Sequence, residues 1–160
     1  MIIFINGSIN SGKTTIANIL AKKISNSAVV EIDALRDMIG EMPLEQSIPI
    51  NLENAVSLIK NFSKRNLNVI VPYPLSQKNY DYLTNELKDL DTKIYTFTLS
   101  PKLEKVLMNR GNRELSEEEQ KRIQYHYSVG INNPSFGEVI DNSDQTPDET
   151  TDYICSKINV

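Results

Sequence analysis

The chain has a single cysteine, a single histidine and no apolar run that approaches the ~20 residues needed to cross a bilayer. The lone cysteine, Cys155, excludes an internal disulfide and suits a reducing compartment. It lies in an amphipathic C-terminal pattern and reads as packing. The lone histidine, His126, stands between Tyr125 and Tyr127 with no cysteine or second histidine at ligand spacing. That argues against a metal site and assigns it to packing or surface. Lys and Arg total 17 against 21 Asp and Glu, a net charge of −4, and no basic run has the density of a nucleic-acid footprint. Long polyanionic partners are therefore disfavoured, although a short local groove is not. No secretory leader is visible ahead of the first apolar run, so the expectation is a soluble, cytoplasmic protein without a membrane anchor. No internal repeat and no linker interrupts the sequence, and 160 residues suit one domain spanning 1–160.

What is present is an alternation of apolar runs and amphipathic helical patterns, which argues for a parallel α/β sheet. Strands are expected at 2–5, 28–32, 68–72, 93–99 and 138–141. Between the second and third, Leu52, Ala55, Val56, Ile59 and Phe62 share one helix face. The next helix carries Tyr80, Leu83, Leu87 and Leu90, with Ser76 as its N-cap and Leu75 stapling ahead of it. Ser116–Glu119 and Thr146–Glu149 are capping boxes, the second with Pro147 at the first helical position. Ser100-Pro101 predicts one more helix start of the same kind.

The sharpest signal is Gly7-Ser8-Ile9-Asn10-Ser11-Gly12-Lys13-Thr14, between the first strand and a helix marked by Ile16, Leu20 and Ile24. Small residues let successive backbone N–H groups converge on phosphate oxygens, and the helix N-terminus adds a positive dipole end. Lys13 can reach β- and γ-phosphates, and the Thr14 hydroxyl can ligate Mg²⁺. Gly7, Ser8, Asn10, Ser11, Gly12, Lys13, Thr14 and Thr15 are therefore the candidate nucleotide-binding residues. In open α/β sheets, ligands bind beyond the carboxyl ends of the strands. Asp33, near the end of the second expected strand, would emerge on that edge, as a base for an attacking hydroxyl or as a mere helix cap. Arg36, about one turn further on, would grip an anionic group of the acceptor or lie solvated.

These residues resemble those of the small P-loop kinases that phosphorylate metabolites, antibiotics or nucleic-acid ends. The D-x-x-R pair of Asp33 and Arg36 looks like the acceptor pattern of the polynucleotide kinase branch, where the aspartate acts as base. Chloramphenicol phosphotransferase places an aspartate similarly, and the compact size looks like shikimate kinase. The resemblance implies a three-layer P-loop NTPase fold with a five-stranded parallel sheet in the order 2-3-1-4-5. It also implies ATP and Mg²⁺ as cofactors and transfer of the γ-phosphate to the hydroxyl of a small molecule. One departure is plain: the third strand ends Val71-Pro72-Tyr73-Pro74, without the metal-organising acid that motor and switch ATPases use. Tyr73 is a candidate wall of the acceptor site, or purely structural.

Met108–Leu115 breaks a helical pattern with Gly111 and two asparagines, and Arg110 and Arg113 flank the break. Guanidinium groups there would oppose the charge of a moving phosphoryl group. The resemblance makes this a lid, roughly 110–122, with Arg110 and Arg113 as catalytic candidates and Arg122 as a possible third. The alternative is a solvated connection in which Glu114 and Glu117–Glu119 pair with the same arginines. Asn142, Ser143 and Gln145 fall where similar kinases touch the adenine edge. Two other functions remain open: a nucleoside monophosphate or nucleic-acid 5′-hydroxyl as acceptor, and a nucleotide-binding regulatory module without catalysis.

Overall fold

The computed structural model describes residues 1–108 and 114–158. Its centre is a five-stranded, all-parallel sheet in the order β2-β3-β1-β4-β5. The strands are β1 (Ile2–Gly7), β2 (Ser27–Val29), β3 (Asn68–Pro72), β4 (Ile94–Leu99) and β5 (Glu138–Ile140). Helices α1 (Lys13–Lys23), α2 (Ile32–Arg36), α3 (Leu44–Ser63) and α4 (Gln77–Leu87) alternate with the first strands. Helices α5 (Leu103–Val106) and α6 (Glu117–Ser128) precede β5, and α7 (Pro147–Ile158) follows it.

The side-chain period of two sorts the central strands between two apolar layers. Ile2, Phe4, Val69 and Val71 face Leu52, Ala55, Val56 and Ile59 of α3 and Leu83 and Leu87 of α4. Ile3, Ile5 and Ile70 face the other way, against Ile16, Ala17 and Leu20 of α1 and Ile154, Cys155 and Ile158 of α7. Cys155 is thus buried packing, and its thiol is pushed up by that burial. Both caps on the long connections form as the sequence predicts. Ser76 Oγ accepts from Asn79 N–H at the start of α4, and Ser116 and Glu119 exchange both bonds of a capping box. Thr146 and Glu149 do the same ahead of α7.

Two boundaries move. The second strand ends at Val29 rather than residue 32. Val30 N–H still reaches Ile70 O, but Ile32 turns inward into the α3 layer and opens α2. The helix expected from Ser100-Pro101 starts at Leu103. Ser100 N–H bonds to Ile140 O in continuation of the sheet ladder, and Lys102 stays extended (φ −55°, ψ 143°) as the N-cap, its carbonyl accepting from Val106 N–H at 3.3 Å. A small third cluster of Val106, Leu115 and Ile123 joins α5 to α6, and Ile9 of the glycine-bearing loop packs on it.

Candidate functional site

Beyond β1, residues 7–14 fold back over the N-terminus of α1. At Gly7 (φ 142°), an added Cβ would stand 2.6 Å from both Leu99 O and Ser11 Oγ, so only glycine lets the loop lie against β4. Asn10 (φ 62°) and Gly12 (φ 100°) complete the turn into the helix, and a Cβ on Gly12 would meet nothing within 4 Å. Ile16 N–H makes the first bond back, to Gly12 O at 3.0 Å. Gly12 supplies no side-chain cap and the first turn holds no acidic residue. The first turn of α1 thus precedes the first intrahelical bond, and Gly12–Thr15 border an open space at the positive end of the helix dipole.

Other elements brace the loop from behind. Asn10 Nδ2 donates to Val106 O at 2.9 Å and Met108 O at 3.0 Å, and Asn142 Nδ2 donates to Ser11 O at 3.1 Å. Ser8 Oγ meets His126 Nδ1 at 3.2 Å. Asn6, wholly buried, donates to Thr98 Oγ1 and Ile131 O and accepts from Leu75 N–H at 2.7 Å. On the front, Lys13 Nζ donates to Ser8 O at 2.7 Å.

The open space is a cleft of about 710 Å³ at the carboxyl edge of the sheet. Asn10 and Gly12–Thr15 form its floor. Glu31, Asp33, Arg36 and Asp37 line the α2 side, Pro72 and Pro74 the end of β3, and Ser116, Glu118, Glu119, Arg122 and His126 the α6 side. Asp33 opens onto this cleft, yet the surrounding walls desolvate its carboxyl and raise it above the usual carboxylate range; Lys13, Arg122 and Arg36 oppose that rise. His126 is pushed down to about 4, by burial first and then by the charges of Arg122 and Lys13, so it is neutral at pH 7. Tyr73 is pushed up to about 12 by burial and by Asp33.

The fold thus brings Asn10, Gly12, Lys13, Thr14 and Thr15 into one space with Asp33, Arg36 and Arg122. Gly7, Ser8 and Ser11 shape the loop from beneath, with Ser8 and Ser11 fully buried. Asp33 lies inside α2, whose N-cap is Glu31 without a side-chain bond, so it does not act as a helix cap. Tyr73, 6% exposed, packs in the apolar layer while Pro72 and Pro74 on either side reach the cleft. Asn142 donates to Ser11 O, Ser143 Oγ accepts from Lys102 N–H, and Gln145 Oε1 accepts from Thr150 Oγ1. Arg110 and Arg113 lie outside the described residues. His126, expected as packing or surface, is buried against Ser8, and Asn6 was not singled out by the sequence. Nothing local distinguishes them, because their partners are on other elements.

The uncapped amides, the empty side of Gly12 and the Thr14 hydroxyl on the cleft fit the phosphates of a nucleotide with a divalent cation. Among the described residues no group of three His, Cys, Asp or Glu side chains could hold a metal. A cation here would need phosphate oxygens and water for most of its ligands, which is the habit of Mg²⁺.

Sheet order, loop and cleft define the class of fold: that of the small P-loop kinases, a three-layer P-loop NTPase architecture. Among solved structures, the chain is similar to the tunicamycin resistance protein of Deinococcus radiodurans, with a TM-score of 0.70 and 21% identity over 99% of this chain and 95% of that one. A sugar kinase from Janibacter matches with a TM-score of 0.75 and 16% identity, over 99% and 94% of the two chains. The APS kinase of Mycobacterium tuberculosis, solved with AMPPNP and APS, matches with a TM-score of 0.67 and 16% identity, over 99% and 97%. At these identities the likeness is one of fold. No protein-family model matches the chain, and no curated protein matches it by sequence.

Proposed function

We propose that the protein is an ATP-dependent phosphotransferase that moves the γ-phosphoryl group to a hydroxyl of a small molecule. The observation that carries this reading is one cleft that holds both the uncapped amides beside Lys13 and the carboxylate of Asp33. The amides of residues 12–15 and the Lys13 ammonium hold the triphosphate. Thr14 is the side chain that would hold Mg²⁺, which would supply positive charge against the phosphates. Asp33 takes the acceptor's proton as its oxygen bonds to the γ-phosphorus, and the departing bond leaves its electron pair on ADP. Desolvation by the cleft walls raises the proton affinity of that carboxylate, and the charges of Lys13, Arg122 and Arg36 oppose the rise. Arg110 and Arg113 belong to this reading as lid arginines that join Arg122 against the charge of the moving group.

The test is release of ADP from ATP and Mg²⁺ against a panel of sugars, carbocyclic alcohols and antibiotic alcohols. Turnover that depends on one acceptor is expected, and Asp33→Asn should lower it by about 10²-fold or more while ATP still binds. Bound ATP with no transfer to any acceptor would instead favour the non-catalytic module. A second reading, with a nucleoside monophosphate or a nucleic-acid 5′-end as acceptor, is favoured by the two guanidiniums, Arg36 and Arg122, that share the cleft with Asp33. Phosphorylation of a short oligonucleotide end that weakens steeply with added salt would select it.

A further inference from the structure

Helix α6 carries a histidine that phosphoryl transfer leaves without a task. His126 is 4% exposed, and its Nδ1 lies 3.2 Å from Ser8 Oγ, 118 positions away in the chain. Ser8 is the hinge of the loop's front: its carbonyl accepts both Lys13 Nζ at 2.7 Å and Ser11 N–H at 3.3 Å. With no exposure of its own, Ser8 can serve the loop only from behind. The same imidazole borders the cleft, one helical turn beyond Arg122.

We propose that His126 is a positioning residue for nucleotide phosphates, setting the phosphate loop through Ser8 and, through the Ser8 carbonyl, the place of Lys13. The inference rests on the phosphate-binding reading of the cleft. A neutral imidazole suits this task because it carries one donor and one acceptor, so a hydroxyl at Nδ1 is satisfied in either tautomer. A permanent cation at the same spot would crowd Lys13 and Arg122, and burial among those charges is what holds His126 neutral. On the far side of the loop, Asn10 ties to Val106 and Met108. Asn142 holds Ser11 O as well, so loss of the His126 bond loosens one of three anchors and leaves the loop in place.

The test is calorimetry of AMPPNP with Mg²⁺ on the whole chain and five variants. His126→Phe fills the site without the bond, His126→Asn keeps an amide where Nδ1 stands, and Ser8→Ala removes the partner. Ser8→Ala/His126→Phe closes the cycle, and Gln124→Ala, an exposed change on the same helix, is the control. His126→Phe and Ser8→Ala are each expected to weaken binding about three- to tenfold, the size of one hydrogen bond. The double variant should bind no more weakly than the worse single, and His126→Asn and the control should stay within about twofold of wild type. Single variants that bind as wild type, losses that multiply in the double, or an Asn variant as weak as Phe would each overturn the assignment. Should the Phe variant fail to fold, Ser8→Ala and His126→Asn decide it alone. No heat from the wild-type protein would overturn the phosphate-binding reading itself, a different outcome from binding that His126 does not influence.

Discussion

Gly7 and Gly12 both sit at positive φ, but for different reasons. At Gly7 a methyl group would strike the carbonyl of Leu99 and the hydroxyl of Ser11, whereas at Gly12 it would stand in open space over the cleft. Gly7→Ala should therefore cost stability, about 1–3 kcal/mol by urea unfolding. Gly12→Ala should cost about 1 kcal/mol of backbone strain and lose most of its nucleotide affinity, read by titration with AMPPNP. The pH response of His126 is also decided at this scale. Its folded-state pKa, about 4, lies below the ordinary 6.5, so the unfolded chain binds more protons between those values. Its contribution to stability is complete above pH 6.5, declines as pH falls and is fully lost below about pH 4. Urea midpoints at pH 7 and pH 5 should differ more for wild type than for His126→Asn. A histidine that lowers stability under acid and still lies against the phosphate loop was invisible to the spacing rules, since its partner, Ser8, is remote in sequence.

At the scale of elements, the local signals were legible and the junctions less so. The capping boxes at Ser116 and Thr146 and the cap at Ser76 depend on residues three apart, and all three form. Ser116→Ala should cost about 1 kcal/mol, seen as a lower thermal midpoint. The cap holds the start of the helix that bears Arg122 and His126, so weaker nucleotide binding should accompany the loss. Ser100-Pro101 carries an equally good local signal and does not start a helix. There Ser100 continues the sheet ladder beside β5 and Lys102 stays extended, so the helix opens two residues late. The pull of a neighbouring strand on backbone conformation is what short-range patterns omit. The end of β2 is similar: burial of Ile32 turns the chain before the apolar run has ended.

At the scale of the molecule, the two apolar layers on either side of the sheet carry the fold. Leu83, with no exposure, packs α4 against the face that bears Phe4 and Val71. Leu83→Ala should cost about 2–5 kcal/mol in denaturant unfolding, with the spread set by how far α4 can settle into the cavity. The loss should appear in stability and leave nucleotide affinity nearly unchanged, because α4 does not line the cleft. This separates the scaffold from the site: one face of the sheet supports α3 and α4, while the carboxyl edge supports the cleft.

The chain alone determined the alternation of strands and helices, the caps and the phosphate loop, because each depends on periodicity or on residues a few positions apart. Asp33 and Arg36 were legible for the same reason, since any parallel strand followed by a short turn delivers its next residues to the ligand-binding edge. Only tertiary structure decided that Asn6, Ser8, Asn10 and Asn142 each bind a different part of the fold, that Tyr73 turns into the core, and that His126 stands behind Lys13. Those contacts join residues up to 131 positions apart. Their geometry exists only once the sheet has closed, because it depends on packing between layers and on no local preference.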